Sequence, residues 1–309
     1  MNQLDRRQLL KLIAAGAAVS ALPCAGLFAA PDGILKKPIP SSGEPIPVIG
    51  MGTWKSFNVG SDRQLRLART EVLREFFRLG GGLVDCSPMY GSSGEVLGFA
   101  LEQLGQPDSL FAAEKVWTED GAATRSAVAE LESTWGIAPF DLMQIHNLVA
   151  WQEHLETLEQ MKAEGAVRYI GITTSHGRRH DAFERVMANE AIDFVQLTYS
   201  ITSRDVENRL LPLAAERGIA VIANMPYDRG PLIKGLKARA QVPDWAVQEF
   251  DCKGWADFLL KFVVSHPAMT CAIPSTSQVA HMTENMRAGT GPMPDAELRQ
   301  RMVRHIESL

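Results

Sequence analysis

Four ionisable side chains, Asp85, Tyr90, Lys115 and His146, each end or closely follow a short apolar run. Asp85 closes Leu83-Val84-Asp85 and Tyr90 follows it by one short loop. Lys115 stands near the end of the run 110–116 and His146 ends the run 142–146. These types suit reduction of a carbonyl group, which needs a hydride and a proton for the developing alkoxide. A tyrosine hydroxyl, with an ordinary pKa of about 10, keeps its proton at neutral pH. A nearby ammonium favours tyrosinate, so Lys115 is expected to lower the Tyr90 pKa and ease proton donation. Asp85 would hold Lys115 charged and oriented, and His146 would offer a hydrogen bond to the substrate oxygen. Taken singly, each residue has a plainer reading: a loop cap, a rim aromatic, a surface ion pair and a satisfied core histidine. Their order along the chain is what favours one shared site.

The elements that must position them alternate regularly. Strand-like runs at 47–54, 83–87, 110–116, 142–146, 167–174, 194–200, 219–226 and 270–274 are each followed by a helical pattern. Those patterns lie at 63–79, 94–104, 122–135, 152–163, 178–187, 204–217, 255–265 and 279–287, with a last helix expected over 295–307. Strict alternation implies an α/β fold with parallel strands covered by helices. Eight units within ~250 residues is the count of a closed (β/α)8 TIM barrel, whose strand C-termini converge on one face. An open doubly wound sheet is the alternative, but no G-x-G-x-x-G turn follows the first strand. Residues 34–49 read as extended, then a turn at Ser41-Ser42-Gly43-Glu44, then extended again. This N-terminal β-hairpin could plug the N-terminal mouth of the barrel. Residues 227–254 read as a long irregular loop, and loops of that length are usually functional. One barrel domain is expected over 31–309.

Three segments resemble the aldo/keto reductase superfamily: Val84-Asp85-Cys86-Ser87-Pro88-Met89-Tyr90-Gly91, Glu114-Lys115-Val116, and Asp141-Leu142-Met143-Gln144-Ile145-His146-Asn147. The likeness extends from the hairpin at Ile34 to Arg287. It implies a catalytic tetrad of Asp85, Tyr90, Lys115 and His146, with Tyr90 as general acid and a small-molecule aldehyde or ketone as substrate. It also implies a nicotinamide cofactor, NADP(H) in preference to NAD(H). Gly52, Thr53 and Trp54 would hold it at the first strand end, with Thr173 and Gln196 further round. Ser275, Thr276, Ser277, Glu284 and Asn285 would hold its adenosine end. The chain departs from the family pattern at three places. Thr174 stands where an asparagine is usual. Asn224 replaces the aromatic that stacks on the nicotinamide, with Tyr227 or Tyr199 as candidates to substitute. His281 stands where many members carry an arginine, and a neutral imidazole offers a 2′-phosphate less than a guanidinium fork.

The stretch 275–277 also reads as an N-cap of the last barrel helix, and helix N-termini bind phosphate. Arg229 is expected either as an anion contact or in a solvated turn. Trp54, Trp117 and His176 are candidates to wall an apolar substrate pocket. The three departures motivate a second reading: a nicotinamide-nucleotide-binding sensor or subunit with little turnover. A metal hydrolase using Asp85, His146 and His176 is a third. It lacks an H-x-H pair and any carboxylate-rich strand end, so no metal site is expected.

Bulk composition narrows the partners. With 46% hydrophobic and 22% charged residues the chain has ordinary globular usage. A net charge of −5 argues against nucleic acid. Residues 1–30 stand apart. Asp5-Arg6-Arg7-Gln8-Leu9-Leu10-Lys11 precedes an Ala-rich apolar run at 12–22 and then Pro23, the order of a signal peptide and too short for a membrane span. The Arg6-Arg7 pair resembles a twin-arginine signal. That implies export to the periplasm of an already folded protein, with no membrane contact after removal; an unused signal would leave the protein cytoplasmic. Cys24 lies in that segment. Cys86, Cys252 and Cys271 form no C-x-x-C and no disulfide framework, and Cys86 and Cys271 are expected as buried inert thiols.

Overall fold

The computed structural model describes residues 33–228 and 230–309. The signal-like segment 1–30 and Arg229 lie outside the described residues. Among those described, no helix is long and apolar enough to cross a membrane.

Eight parallel strands follow one another in chain order around a barrel: β3 (Met51–Gly52), β4 (Leu83–Asp85), β5 (Phe111–Val116), β6 (Phe140–His146), β7 (Val167–Thr173), β8 (Phe194–Thr198), β9 (Ala220–Asn224) and β10 (Cys271–Ala272). The register sets Asp85 beside Ala113, Lys115 beside Gln144 and His146 beside Thr173. The ring closes between first and last strands, where Gly50 N–H donates to Ala272 O at 2.8 Å and Ala272 N–H to Val48 O at 2.9 Å. Gly52 lies in this seam. A Cβ there would come within 2.8 Å of the Ile273 carbonyl oxygen, so no side chain fits.

Successive residues of each strand point to opposite sides. Leu83, Phe111, Leu142, Tyr169, Phe194 and Ile222 fill the barrel. Their neighbours Val84, Ala112, Met143, Ile170, Val195 and Val221 face the helices. The principal covering helices are α1 (Arg63–Arg78), α2 (Ser93–Leu104), α3 (Thr124–Trp135), α4 (Trp151–Ala163), α5 (His180–Asn189) and α6 (Leu210–Arg217). The expected hairpin is present as β1 (Lys36–Pro38) paired antiparallel with β2 (Pro45–Pro47). Its Ile39 and Ile46 join the interior cluster and so close the N-terminal mouth. The turn is tied down as well, with Tyr169 Oη donating to Glu44 Oε2 at 2.6 Å and Ser42 Oγ 2.8 Å from the same phenolic oxygen.

The reading of 227–254 as irregular is corrected. The segment forms α7 (Pro231–Arg239) and α8 (Asp244–Phe250) before α9 (Trp255–Val264). Gly230, Pro231, Gly235 and Pro243 look like breakers in sequence, yet proline is suited to a first helical turn. Leu236, Ala246 and Phe250 are buried, and Trp255 Nε1 donates to Ala240 O at 2.9 Å, so tertiary packing organises what local propensity does not. Likewise 204–217 is not one helix but a 3-10 turn at Asp205–Asn208 followed by α6. Two more helices complete the chain, α10 (Val279–Arg287) and α11 (Ala296–Glu307).

Candidate active site

Asp85 and Lys115 end adjacent strands on inward positions, so both are carried into the barrel mouth. Lys115 Nζ donates to both Asp85 carboxylate oxygens at 2.7 Å and to the Cys86 carbonyl. Neither residue has appreciable solvent exposure. Burial alone would lower the Lys115 pKa, but Asp85, Tyr90 and Glu114 together outweigh it and hold the pKa above its ordinary value. Two amides complete the carboxylate's shell, Gln144 Nε2 at 3.1 Å and Gln196 Nε2 at 2.7 Å. Gln196, expected at the cofactor, lines the cleft and also donates to Asp85.

Tyr90 stands on a 3-10 turn, Pro88–Tyr90, that Ser87 caps and Pro88 opens. Ser93 Oγ holds the Tyr90 carbonyl at 2.9 Å, and Thr53 Oγ1 holds that of Asp85 at 2.9 Å. Lys115 Nζ lies 5.3 Å from the Tyr90 ring centroid. The expected lowering of the Tyr90 pKa is not the net result. Burial pushes the hydroxyl up to about 12, and the pull of Lys115 offsets this only in part. Tyr90 is therefore a fully protonated donor. His146 is buried beside it, ring centroids 6.3 Å apart and planes nearly perpendicular. Burial, then Lys115 and His176, push His146 down to about 3, so its imidazole is neutral. The loop after it is held in left-handed backbone at Asn147, Leu148 and Ala150, with Asn147 Oδ1 accepting from Ser175 N–H at 2.9 Å.

A cleft of about 540 Å³ opens at this mouth and gathers Gly52, Thr53, Trp54, Asp85, Tyr90, Gln196, Ser275, Thr276 and Ser277 from the expected set. Lys55, Tyr227 and His281 line it too. The other expected residues lie off its wall. Thr173 is buried with its hydroxyl unpartnered, at the end of β7. Asn285 is buried and accepts from Tyr227 Oη at 2.6 Å, while Glu284 is half-buried on α10. Tyr199 cannot stand in for the stacking aromatic, because it is buried and tied to Arg299 Nη2 at 2.6 Å; Tyr227 is the aromatic at the cleft. Asn224 Nδ2 donates to Thr174 O at 2.7 Å, so two of the departures from the family pattern are bonded to each other. Trp54 and Trp117 are 39% and 46% exposed, large apolar surfaces at the rim. Cys86, Cys252 and Cys271 are free and buried. Among the described residues, no three His, Cys, Asp or Glu side chains converge as a metal would require.

Sequence reasoning missed Gln144, Ser87 and Glu114. Gln144 was legible in principle, as a polar residue two positions before His146 on the same strand face. Glu114 faces outward, where Oε1 accepts from Lys115 N–H at 2.9 Å and Oε2 from Trp135 Nε1 at 3.1 Å. Its burial pushes the carboxyl up to about 8 against the pull of Lys115. A carboxyl raised in the fold contributes stability that is complete below its unfolded pKa and is lost as pH rises through the folded one. Wild type is therefore expected to lose stability relative to Glu114→Gln between about pH 5 and 8, by on the order of a few kcal/mol, as read by denaturant melts. The variant itself is expected to be weaker at low pH, because its amide sets an N–H against Trp135 Nε1–H. A difference that does not change with pH would show that Glu114 is ionised throughout.

Comparison with known proteins agrees with this geometry. The aldo/keto reductase family model matches residues 48–301. The chain is 27% identical over 260 residues to methylglyoxal reductase YeaE of Escherichia coli K12, covering 82% of this chain and 89% of that protein. It is 28% identical over 234 residues to an NADH-specific methylglyoxal reductase of the same organism, covering 64% and 68%. Among solved structures, an aldo/keto reductase from Klebsiella pneumoniae in complex with NADP and acetate superposes with a TM-score of 0.72 at 25% identity, covering 85% of this chain and 93% of that one. An aldo-keto reductase from Bacillus halodurans shares the fold with a TM-score of 0.72 at 21% identity, covering 88% and 96%. With its strand-end cluster and a family match over most of its length, the chain belongs to the aldo/keto reductase family and is an NAD(P)-dependent oxidoreductase of carbonyl and alcohol groups.

Proposed function

We propose that the protein reduces a small aldehyde or ketone to its alcohol in the cleft beside Tyr90, with Tyr90 as general acid. The observation that carries this reading is a buried, doubly bonded Asp85–Lys115 pair next to a protonated tyrosine. A nicotinamide nucleotide, when bound, supplies the hydride. Gly52, Thr53, Trp54, Tyr227 and the hydroxyls of Ser275, Thr276 and Ser277 would hold it. The unpartnered Thr173 hydroxyl, at the strand end beside His146, supports the fit, since a buried hydroxyl without a partner is costly. Glu284 and Asn285 would serve the adenosine end from α10. Tyr90 gives its proton to the developing alkoxide, and Lys115, fixed by Asp85, stabilises the tyrosinate left behind. His146 offers Nε2 to the carbonyl oxygen. Trp54 and Trp117 exclude water and favour an apolar substrate body.

For the nucleotide, NADP(H) is proposed over NAD(H). Lys55 and His281 line the cleft, and Arg69 Nη1 lies 3.4 Å from the Ser277 carbonyl at the start of α10. The NADP held by the Klebsiella pneumoniae structure also supports it. The test is oxidation of NADPH and of NADH with a panel of aldehydes and ketones that includes methylglyoxal. Turnover with NADPH at the higher kcat/KM is expected. Tight nucleotide binding without single-turnover hydride transfer would favour the sensor reading, which Thr174, Asn224 and His281 motivate. Export by a twin-arginine route is proposed from the Arg6-Arg7 pair and the apolar run at 12–22 that follows it. Starting the purification from the periplasmic fraction, with mass analysis of the released nucleotide, tests location and cofactor together; protein confined to the cytoplasm rejects export.

A further inference from the structure

Ser87 follows Asp85 by two residues and is buried, at 1% exposure. Its hydroxyl has two partners, the Met89 N–H at 3.4 Å and the His146 Nδ1 at 2.8 Å. The other ring nitrogen of His146, Nε2, is buried and has no partner. Tyr90 and Trp117 flank the ring, with centroids 6.3 and 6.4 Å away.

Counting protons separates the two neutral tautomers. If Nδ1 carried the proton, Ser87 Oγ would accept from both Nδ1–H and Met89 N–H. Its own proton would then lack an acceptor, and Nε2 would be a bare lone pair. If Ser87 instead donates to Nδ1, the hydroxyl gives one hydrogen bond and takes one from Met89. The only unsatisfied atom is then an Nε2–H, a donor held between two aromatic rings at the mouth of the barrel. The second arrangement leaves fewer buried groups unpaired.

We propose that Ser87 is a positioning residue that fixes His146 as the Nε2–H tautomer, so that this nitrogen donates to the substrate carbonyl oxygen. The proposal rests on the carbonyl-reduction reading for its purpose but not for its measurement. Ser87 does not touch the reacting atoms; it acts through the imidazole. A carbonyl oxygen gains negative charge as hydride arrives, and a donor already aimed at it favours the transition state over the ground state. An imidazole in the wrong tautomer would turn a lone pair towards that charge.

The test is a long-range 15N–1H correlation spectrum of histidine-labelled protein, which separates protonated from bare ring nitrogens. The chain has seven histidines, and His146 is assigned by the signal lost in His146→Asn. Wild type is expected to show a bare Nδ1 and a protonated Nε2, and Ser87→Ala a mixture of both tautomers. In Ser87→Ala, kcat for carbonyl reduction is expected to fall about 10-fold, with nucleotide affinity unchanged. Ser87→Thr, which keeps the hydroxyl, is expected to restore both the single tautomer and most of the rate. A protonated Nδ1 in wild type overturns the proposal, and that measurement needs no variant to fold. So does a Ser87→Ala spectrum identical to wild type. A wild-type protein with the expected tautomer but no turnover would reject carbonyl reduction and leave the positioning by Ser87 standing.

Discussion

Tyr90→Phe is expected to lower kcat for carbonyl reduction by roughly 10²- to 10⁴-fold, the range for removing a positioned general acid. The substitution deletes one oxygen from a half-buried ring and leaves its packing on the core intact. Nucleotide affinity, read by quenching of tryptophan fluorescence, should stay within a factor of two or so of wild type, because the loss is confined to the transition state. Neither Tyr90, at about 12, nor His146, at about 3, ionises near neutrality. The wild-type kcat/KM profile should therefore carry no limb from either group around pH 7. Equal rates for wild type and Tyr90→Phe would remove Tyr90 as the acid. A steep limb near pH 7 that disappears in His146→Asn would mean that the imidazole is charged in the working enzyme, against the neutral donor inferred here.

Lys115→Met carries the second large effect, this time on both stability and rate. The Asp85 carboxylate would lose both hydrogen bonds from lysine and keep only the Gln144 and Gln196 amides. Both charges are out of water, with side-chain exposures of 0% and 2%, so the pair is unscreened. Breaking such a pair by deleting one partner costs about 3–5 kcal/mol, because the charge that remains is buried and uncompensated. In a protein of this size that corresponds to a drop of roughly 5–8 °C in Tm. The double variant Asp85→Asn with Lys115→Met removes both charges. It is expected to recover part of the stability but none of the activity, since Tyr90 would then have no cation beside it. A single Lys115→Met as stable as wild type would mean that the buried pair contributes no net stability to the fold.

How far the site could be read in advance depended on whether a residue acts alone or through a neighbour. Asp85, Tyr90, Lys115 and His146 were legible because each breaks an apolar run at a strand end, and parallel strands of a closed barrel bring their ends together. The split between barrel interior and helix-facing core was not legible in the sequence, because both faces of these strands are apolar and only the structure shows which parity points inward. The hairpin that carries the plug was legible from the turn at Ser41-Ser42-Gly43-Glu44 between two extended runs, although Ile39 and Ile46 were not singled out. What could not be read was anything set by distance across the fold. Gln196 carries the right chemistry for a cofactor contact, but no local pattern shows that its amide also donates to Asp85, a partner 111 positions away in sequence. Tyr90 has an ammonium close by, which by itself lowers a tyrosine pKa, but the depth of its burial decides the sign and no local pattern encodes depth. Helices α7 and α8 hide behind glycines and prolines and exist because Leu236, Ala246 and Phe250 find a surface to cover.

The amino-acid sequence by itself thus determined the barrel, its plugged end and the four residues at its mouth, because these follow from periodicity and order. Only the tertiary structure decided how their protons are distributed. Burial and partners from other strands keep the proton on Tyr90 and the charge on Lys115. They also set Ser87 against one nitrogen of His146 and leave the other unpaired.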